Sequence, residues 1–266
     1  MGNTDIKLEN YIIDNDSICN DSICREERQY ALFLNNILLK YRKPCERTDS
    51  AVTNIFAACG LPADAEIKYV FYEATFMRDL RLDFEKNRSE DSDSFNAVLV
   101  RYVTGLYPYN GKNCFLGAKE KATHLFETLK KALTQDEEAK IKKWVTTIKS
   151  MMNSKPDIAV IYRHKDKDDE QKYLLLLECK FESRESSDKG GNKQRIIQGM
   201  IADFLCENYF KDELAVSPAM ADAVNKDNKT YRSPLVQFER DAATDPENKI
   251  INITDLIRLN NKIFGI

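Results

Sequence analysis

The chain has 266 residues, of which 42% are hydrophobic and 31% are charged, enough for a sizeable core in one large domain. Its formal net charge of −3 argues against a protein that binds nucleic acid through an overall basic field, although it permits local basic patches. Seven scattered cysteines with no C-x-x-C pair, and only two histidines, argue against a zinc ribbon, a thioredoxin motif or a histidine-rich metal site.

The cysteines are most simply explained as free thiols in a reducing compartment. The sequence shows no apolar N-terminal signal and no apolar run of bilayer length. We therefore expect a cytoplasmic protein that does not associate with membranes.

The chain divides into a polar arm and one domain. Residues 1–24 are rich in Asn and Asp and are expected to form a flexible arm, and residues 25–266 are expected to form a single domain. Apolar periodicity predicts that residues 25–152 are mainly helical. Helices are predicted over 25–41, 50–59, 65–86, 95–104, 117–131 and 134–152. Residues 153–266 form the expected α/β core.

Two predicted helices carry a carboxylate on their apolar stripe. Glu27 shares a face with Ala31 and Leu34, and Glu73 lies on the stripe of the helix predicted over 65–86. An unpaired buried carboxylate is costly, so each one needs an explanation. Glu27 can stay solvated in a first turn, where acids favour the helix dipole. Glu73 can form an ion pair with Arg78.

A predicted hairpin follows, with strands over 156–162 and 173–181 around a charged turn. Because side chains alternate along a strand, Glu178 and Lys180 share one face and Cys179 points to the other. Hairpin pairing would place Asp157 beside Glu178 and Lys180, at one edge of the sheet. Such an oxygen cluster suits Mg²⁺, and a neighbouring lysine can position or activate an attacking water.

A simpler explanation competes with this one. Charged residues at strand ends are usually solvated, and a Glu-x-Lys pair is often a surface ion pair of little energetic worth. However, the continuous apolar run over 174–177 predicts a strand buried on both faces. Placing Glu178 and Lys180 directly after such a strand is costly unless they serve a function.

These residues resemble a known family of nucleases. Pro156-Asp157 followed by Glu178-Cys179-Lys180 is similar to the motif of the PD-(D/E)XK nuclease superfamily, which has the restriction-endonuclease-like fold. The resemblance implies an α/β fold with a mixed central β-sheet flanked by helices. It also implies a Mg²⁺-dependent nuclease that hydrolyses phosphodiester bonds, most commonly in DNA, in defence, restriction or repair, with Mn²⁺ able to replace Mg²⁺.

The resemblance also assigns roles to individual residues. Asp157, Glu178 and the backbone carbonyl of Cys179 would hold the metal, and Glu27 or Glu73 would assist from a helix. Lys180 would orient or polarise the attacking water.

A helix predicted over 194–210 would add two more residues to this site. Gln194 and Gln198 lie one turn apart on one face of it. Superfamily members often place such a glutamine in the active site, although polar residues are also common in ordinary first turns. Further strands are predicted over 233–240 and 250–253, with a last helix beginning at Thr254.

Two other classes of protein stay open at this point. One is a catalytically silent member of the same fold that binds nucleic acid or protein. The other is a helical partner-binding protein in which the hairpin is an ordinary buried one, so that Asp157→Ala and Lys180→Ala would change only stability. For a nuclease, cutting both strands of a DNA duplex would favour a homodimer.

Overall fold

The computed structural model describes residues 26–86, 95–106, 135–165, 171–181, 191–221 and 231–265. Within them the helices are α1 (Glu26–Lys40), α2 (Ser50–Ala58), α3 (Phe76–Lys86), α4 (Phe95–Leu106), α5 (Gln135–Asn153), α6 (Gly191–Asn208) and α7 (Ile253–Phe264). The strands are β1 (Ala65–Tyr72), β2 (Ile158–His164), β3 (Lys172–Phe181), β4 (Leu214–Val216), β5 (Leu235–Glu239) and β6 (Ile250–Asn252). Short 3₁₀ helices cover Pro44–Glu46 and Pro218–Met220. The predicted arm over 1–24 and the predicted helix over 117–131 lie outside the described residues.

The chain forms two compact units. The first comprises residues 1–74 and 155–266 and contains the six strands with α1, α2, α6 and α7. The second comprises residues 75–154 and contains α3, α4 and α5, which pack on one another. In the described residues of both units, no helix is long and apolar enough to cross a membrane.

The strands of the first unit form one mixed sheet in the order β1-β2-β3-β5-β6, with β4 also paired to β3. β1, β2 and β3 are successively antiparallel, whereas β4 and β5 run parallel to β3, and β6 runs parallel to β5. The prediction of an α/β fold with a mixed central sheet flanked by helices is therefore confirmed.

Helices cover both faces of the sheet at the end of β3. The Phe181 ring packs on Tyr30 of α1, with ring centroids 5.2 Å apart. Glu178 lies on the opposite face, because side chains alternate along the strand, and it receives hydrogen bonds from α6. Leu174 to Leu177 are fully buried, as their continuous apolar run predicts.

The helix predicted over 65–86 is wrong in its first half. Residues Ala65–Tyr72 form β1, and the helix begins only at Phe76. The stretch alternates charged Glu66 and Lys68 with apolar neighbours, which is a strand pattern, and a register shift at Lys68 hides the alternation further on. The N-terminal portion is mainly helical where it is described, but it also supplies an edge strand.

The other predicted elements lie close to their observed positions. The hairpin strands are β2 and β3, the helix after them is α6, and the later strands are β5 and β6. The last helix starts one residue earlier than predicted, because the Asn252 side chain, rather than Thr254, caps it by accepting from Asp255 N. The three-residue strand β4 was not predicted.

Candidate active site

Asp157 and Glu178 meet at the ends of two paired strands. Ile158 lies opposite Leu177 in the antiparallel β2–β3 pair, so the next position brings Asp157 beside Glu178. The Asp157 carboxylate accepts a hydrogen bond from the Cys179 backbone N–H, with Oδ2 2.7 Å from the nitrogen. The expected hairpin is present, and it brings the two acids to one edge of the sheet.

Three side-chain donors surround the Glu178 carboxylate. Lys180 Nζ lies 2.9 Å from Oε1, Gln194 Nε2 lies 3.0 Å from Oε2, and Gln198 Nε2 lies 2.6 Å from the same oxygen. Only 3% of the Glu178 side chain is exposed, against 28% for Lys180. Removing a carboxylate from water is costly, and these donors offset that cost. Sequence reasoning grouped these four residues, and the structure brings them together.

The two glutamines occupy different environments although they lie one turn apart on α6. Gln194 is exposed, whereas Gln198 is fully buried. The amide oxygen of Gln198 accepts a hydrogen bond from the Ser233 hydroxyl, which lies 2.5 Å away. Ser233 is fully buried as well. Gln194 therefore lies on the solvent side of Glu178, and Gln198 supports the carboxylate from within the protein.

The segment around Ser233 connects α6 to β3. Ser233 N donates to Arg195 O over 3.2 Å, and Arg195 Nε donates to Ser233 O over 2.8 Å. The next residue, Pro234, accepts from the Glu178 backbone N–H over 3.1 Å. Gly199 lets this segment cross closely over α6, since a Cβ there would overlap the Tyr231 carbonyl. The backbone of Glu178 and the helix that supports its side chain are thus fixed to one another.

Sequence reasoning did not include Ser233 in the site. It lies 35 residues from Gln198 along the chain. It belongs to no motif, and it precedes β5 in a stretch whose pattern predicts only a strand.

The Cys179 side chain points away from the acids, as the alternation predicts. It is fully buried, and burial together with the neighbouring Asp157 charge raises the pKa of its thiol well above 9.0. The side chain is therefore a neutral thiol at physiological pH. The predicted metal ligand at this position is the backbone carbonyl, which the thiol's protonation leaves unchanged.

Glu73 follows a strand rather than lying within a helix, which corrects its expected placement. It comes directly after β1, with a positive φ of 47°, and its N–H donates to Asp157 O over 2.9 Å. Its carboxylate pairs with Arg28, with Nε 3.3 Å from Oε1, instead of with Arg78. The ion-pair explanation thus holds with a different partner. Glu27 lies on α1, and its side chain is outside the described residues.

The acids of this site form a pair rather than a larger cluster. Across the described stretches, no group of three or more His, Cys, Asp or Glu side chains is arranged to hold a metal ion. Asp157 and Glu178 therefore offer two carboxylates, with backbone oxygen nearby. This is a donor set of the kind that Mg²⁺ uses when it keeps several waters.

Comparison with known proteins found no match for this chain among protein-family models, curated proteins or solved structures.

Proposed function

We propose that the protein is a metal-dependent nuclease of the PD-(D/E)XK type that hydrolyses phosphodiester bonds in DNA. The observation that carries this proposal is the meeting of Asp157 and Glu178 at adjacent strand ends, with Lys180 2.9 Å from Glu178. DNA as the substrate, and a role in defence, restriction or repair, come from the resemblance of the motif to that superfamily.

Asp157, Glu178 and the Cys179 carbonyl would hold Mg²⁺, with Mn²⁺ as a substitute. The residues fit such an ion, because their donors are hard oxygens and a carboxylate oxygen such as Glu178 Oε1, which pairs with Lys180, has two lone pairs with which to accept. When bound, the ion supplies Lewis-acid stabilisation of the charge that develops on the phosphate.

The side chains of the protein divide the remaining tasks between them. Lys180 is partly exposed beside Glu178, so it can orient the attacking water and offset negative charge at the phosphate. Gln194 is exposed in the first turns of α6. Its amide nitrogen donates one hydrogen to Glu178, and its second hydrogen can be donated to the substrate. Gln198 is buried, and its amide nitrogen donates to Glu178 from within the protein.

A second candidate is a catalytically silent member of the same fold that binds nucleic acid or protein. The observation that favours it is that Lys180, Gln194 and Gln198 already compensate the Glu178 carboxylate without a metal. A titration with Mn²⁺ separates the two candidates, since only the nuclease requires the ion.

The proposal also includes a cellular compartment and an oligomeric state. The described cysteines Cys45, Cys59, Cys179 and Cys206 are free thiols, which supports a reducing compartment, and we place the protein in the cytoplasm. Cleavage of both strands of a duplex would require two sites, which a homodimer supplies.

Cleavage of a panel of supercoiled, linear and single-stranded DNA and of RNA tests the proposal. Each substrate is incubated with Mg²⁺, with Mn²⁺ or with EDTA. We expect cutting of DNA that requires the metal and that falls by about 10²–10⁴-fold in Lys180→Ala. Lys172→Ala, at the other end of β3, is the matched control and should cut like wild type. Metal-independent cutting, or equal cutting by both variants, would reject the assignment.

A further inference from the structure

We propose that Ser233 is a positioning residue of this site, whose hydroxyl holds the Gln198 amide in the one orientation that serves Glu178. The hydrogen-bond geometry carries this inference by itself. Its consequences for metal binding and catalysis rest on the proposed nuclease function.

The two ends of the Gln198 amide differ in their hydrogen bonding. One end donates through NH₂ and the other accepts through oxygen. Because the two ends have nearly the same shape, packing alone does not determine which of them faces Glu178. An ionised carboxylate can only accept, so Glu178 requires the NH₂ end. In the opposite orientation, two oxygens would face each other over the 2.6 Å that now separates Nε2 from Glu178 Oε2.

Ser233 selects between these two orientations. Its hydroxyl lies 2.5 Å from Gln198 Oε1 and donates to it. Gln198 and Ser233 are both fully buried, so solvent cannot readily replace this donor. Without it, the buried amide oxygen loses its partner, and the amide gains freedom to rotate away from Glu178.

Backbone hydrogen bonds fix the position from which the Ser233 hydroxyl reaches the Gln198 amide. Its N–H and C=O are both bonded to Arg195, three residues before Gln198 on the same helix. Pro234 O accepts from Glu178 N. The hydroxyl therefore has a fixed position relative to both Gln198 and Glu178. Ser233 acts on Glu178 through Gln198, so its loss should affect metal affinity and kcat more than substrate KM.

The test compares Ser233→Ala with Ser217→Ala. Ser217 is also a fully buried serine, but its hydroxyl is bonded to the Tyr162 hydroxyl over 2.9 Å and does not contact Glu178 or Gln198. Ser217→Ala removes this buried hydrogen bond and a longer one that the hydroxyl accepts from Ala219 N, so a general loss of stability should appear in it at least as strongly as in Ser233→Ala. Only Ser233→Ala should change the Glu178 site.

The first readout needs no activity. In Ser233→Ala, the side-chain ¹⁵N–¹H resonances of Gln198 should shift, and their hydrogens should exchange at least about tenfold faster than in wild type or Ser217→Ala. The second readout is Mn²⁺ affinity, expected to fall about 10–100-fold together with kcat, while KM changes by less than about threefold. Ser233→Thr keeps a hydroxyl and should retain wild-type values for both.

Each outcome decides the inference. Unchanged Gln198 resonances in Ser233→Ala, or an equal change in Ser217→Ala, would overturn it. If Ser233→Ala does not fold, Ser233→Cys fills a similar volume with a weaker donor and allows the same comparison. If wild type neither binds Mn²⁺ nor cuts nucleic acid, the nuclease proposal fails, and the Gln198 resonances still decide the role of Ser233.

Discussion

Gly199 is the position where a single added methyl group should disturb the site most. In wild type, the segment over 231–233 crosses α6 at this glycine. A Cβ on residue 199 would overlap the Tyr231 carbonyl and lie 2.9 Å from Arg232 N. These are backbone atoms, so the segment would have to move by on the order of 1 Å to restore ordinary contact distances. Ser233 would move with it and lose its short contact with Gln198.

The expected cost of Gly199→Ala combines three contributions. Overpacking costs about 1–3 kcal/mol, and a loosened buried hydrogen bond costs about another 1–3 kcal/mol. Replacing a helical glycine by alanine returns about 1 kcal/mol. We therefore expect the free energy of unfolding to fall by about 3 kcal/mol.

Urea unfolding followed by far-UV circular dichroism measures this change. Gly105→Ala is the control, because residue 105 is also helical and, among the described residues beyond its own helix backbone, no atom lies within 4 Å of the added Cβ. This variant should be as stable as wild type or more stable by up to about 1 kcal/mol. A Gly199→Ala protein as stable as wild type would refute the close crossing, and with it the fixed position of Ser233.

Three further changes test other parts of the structure. Arg47 is buried and donates to four backbone carbonyls. Arg47→Ala should therefore lower the free energy of unfolding, measured by urea unfolding, by about 3–5 kcal/mol, and a loss below about 1 kcal/mol would contradict this role. Cys45 is exposed, whereas Cys179 is buried and the pKa of its thiol is raised. Iodoacetamide at pH 8 should therefore modify Cys45 in the native protein and Cys179 only after unfolding, which peptide mass spectrometry would show. Burial and the neighbouring Arg195 charge lower the pKa of the half-buried Lys249 below 10.5, so its ammonium should lose its proton at a lower pH than an exposed lysine does. A pH titration of the lysine ¹³Cε resonances, with Lys249→Gln to assign the signal, measures this pKa, and a value at or above 10.5 would contradict the burial of the ammonium.

The two acids could be placed together from the sequence because local chemistry determines the hairpin. The apolar run over 174–177 predicts a buried strand, the charged tract before it predicts a break between two strands, and alternation then assigns the faces. Glu178, Lys180 and Asp157 follow from these rules without knowledge of the remaining chain. The spacing of Gln194 and Gln198 follows from helical periodicity in the same way.

The strand β1 shows where the same rules failed. Its alternating stretch is short, and the register shift at Lys68 interrupts the period. Val70, Met77 and Leu80 happen to continue a helical spacing across Glu73, although the chain leaves the strand there with a positive φ. The helical pattern therefore extends across the true boundary between β1 and α3, and it places Glu73 in the wrong element.

Ser233 could not be found by local patterns at all. Its role depends on the register between β3 and β5 and on the crossing at Gly199, which bring it to Gln198 from 35 residues away. The difference between exposed Gln194 and buried Gln198 has the same origin, since only the packing of α6 on the sheet separates them. Tertiary contacts, rather than residue type, determine these features.

Asp157→Asn provides the most direct test of the proposed metal-dependent chemistry. Asparagine can still accept the hydrogen bond from the Cys179 N–H through its amide oxygen, so the variant should stay folded, as its far-UV circular dichroism would show. The negative charge is lost, and we expect Mn²⁺ binding, followed by electron paramagnetic resonance, to disappear and DNA cleavage to fall at least about a hundredfold. A stable Asp157→Asn protein that binds Mn²⁺ and cuts DNA like wild type would contradict the account.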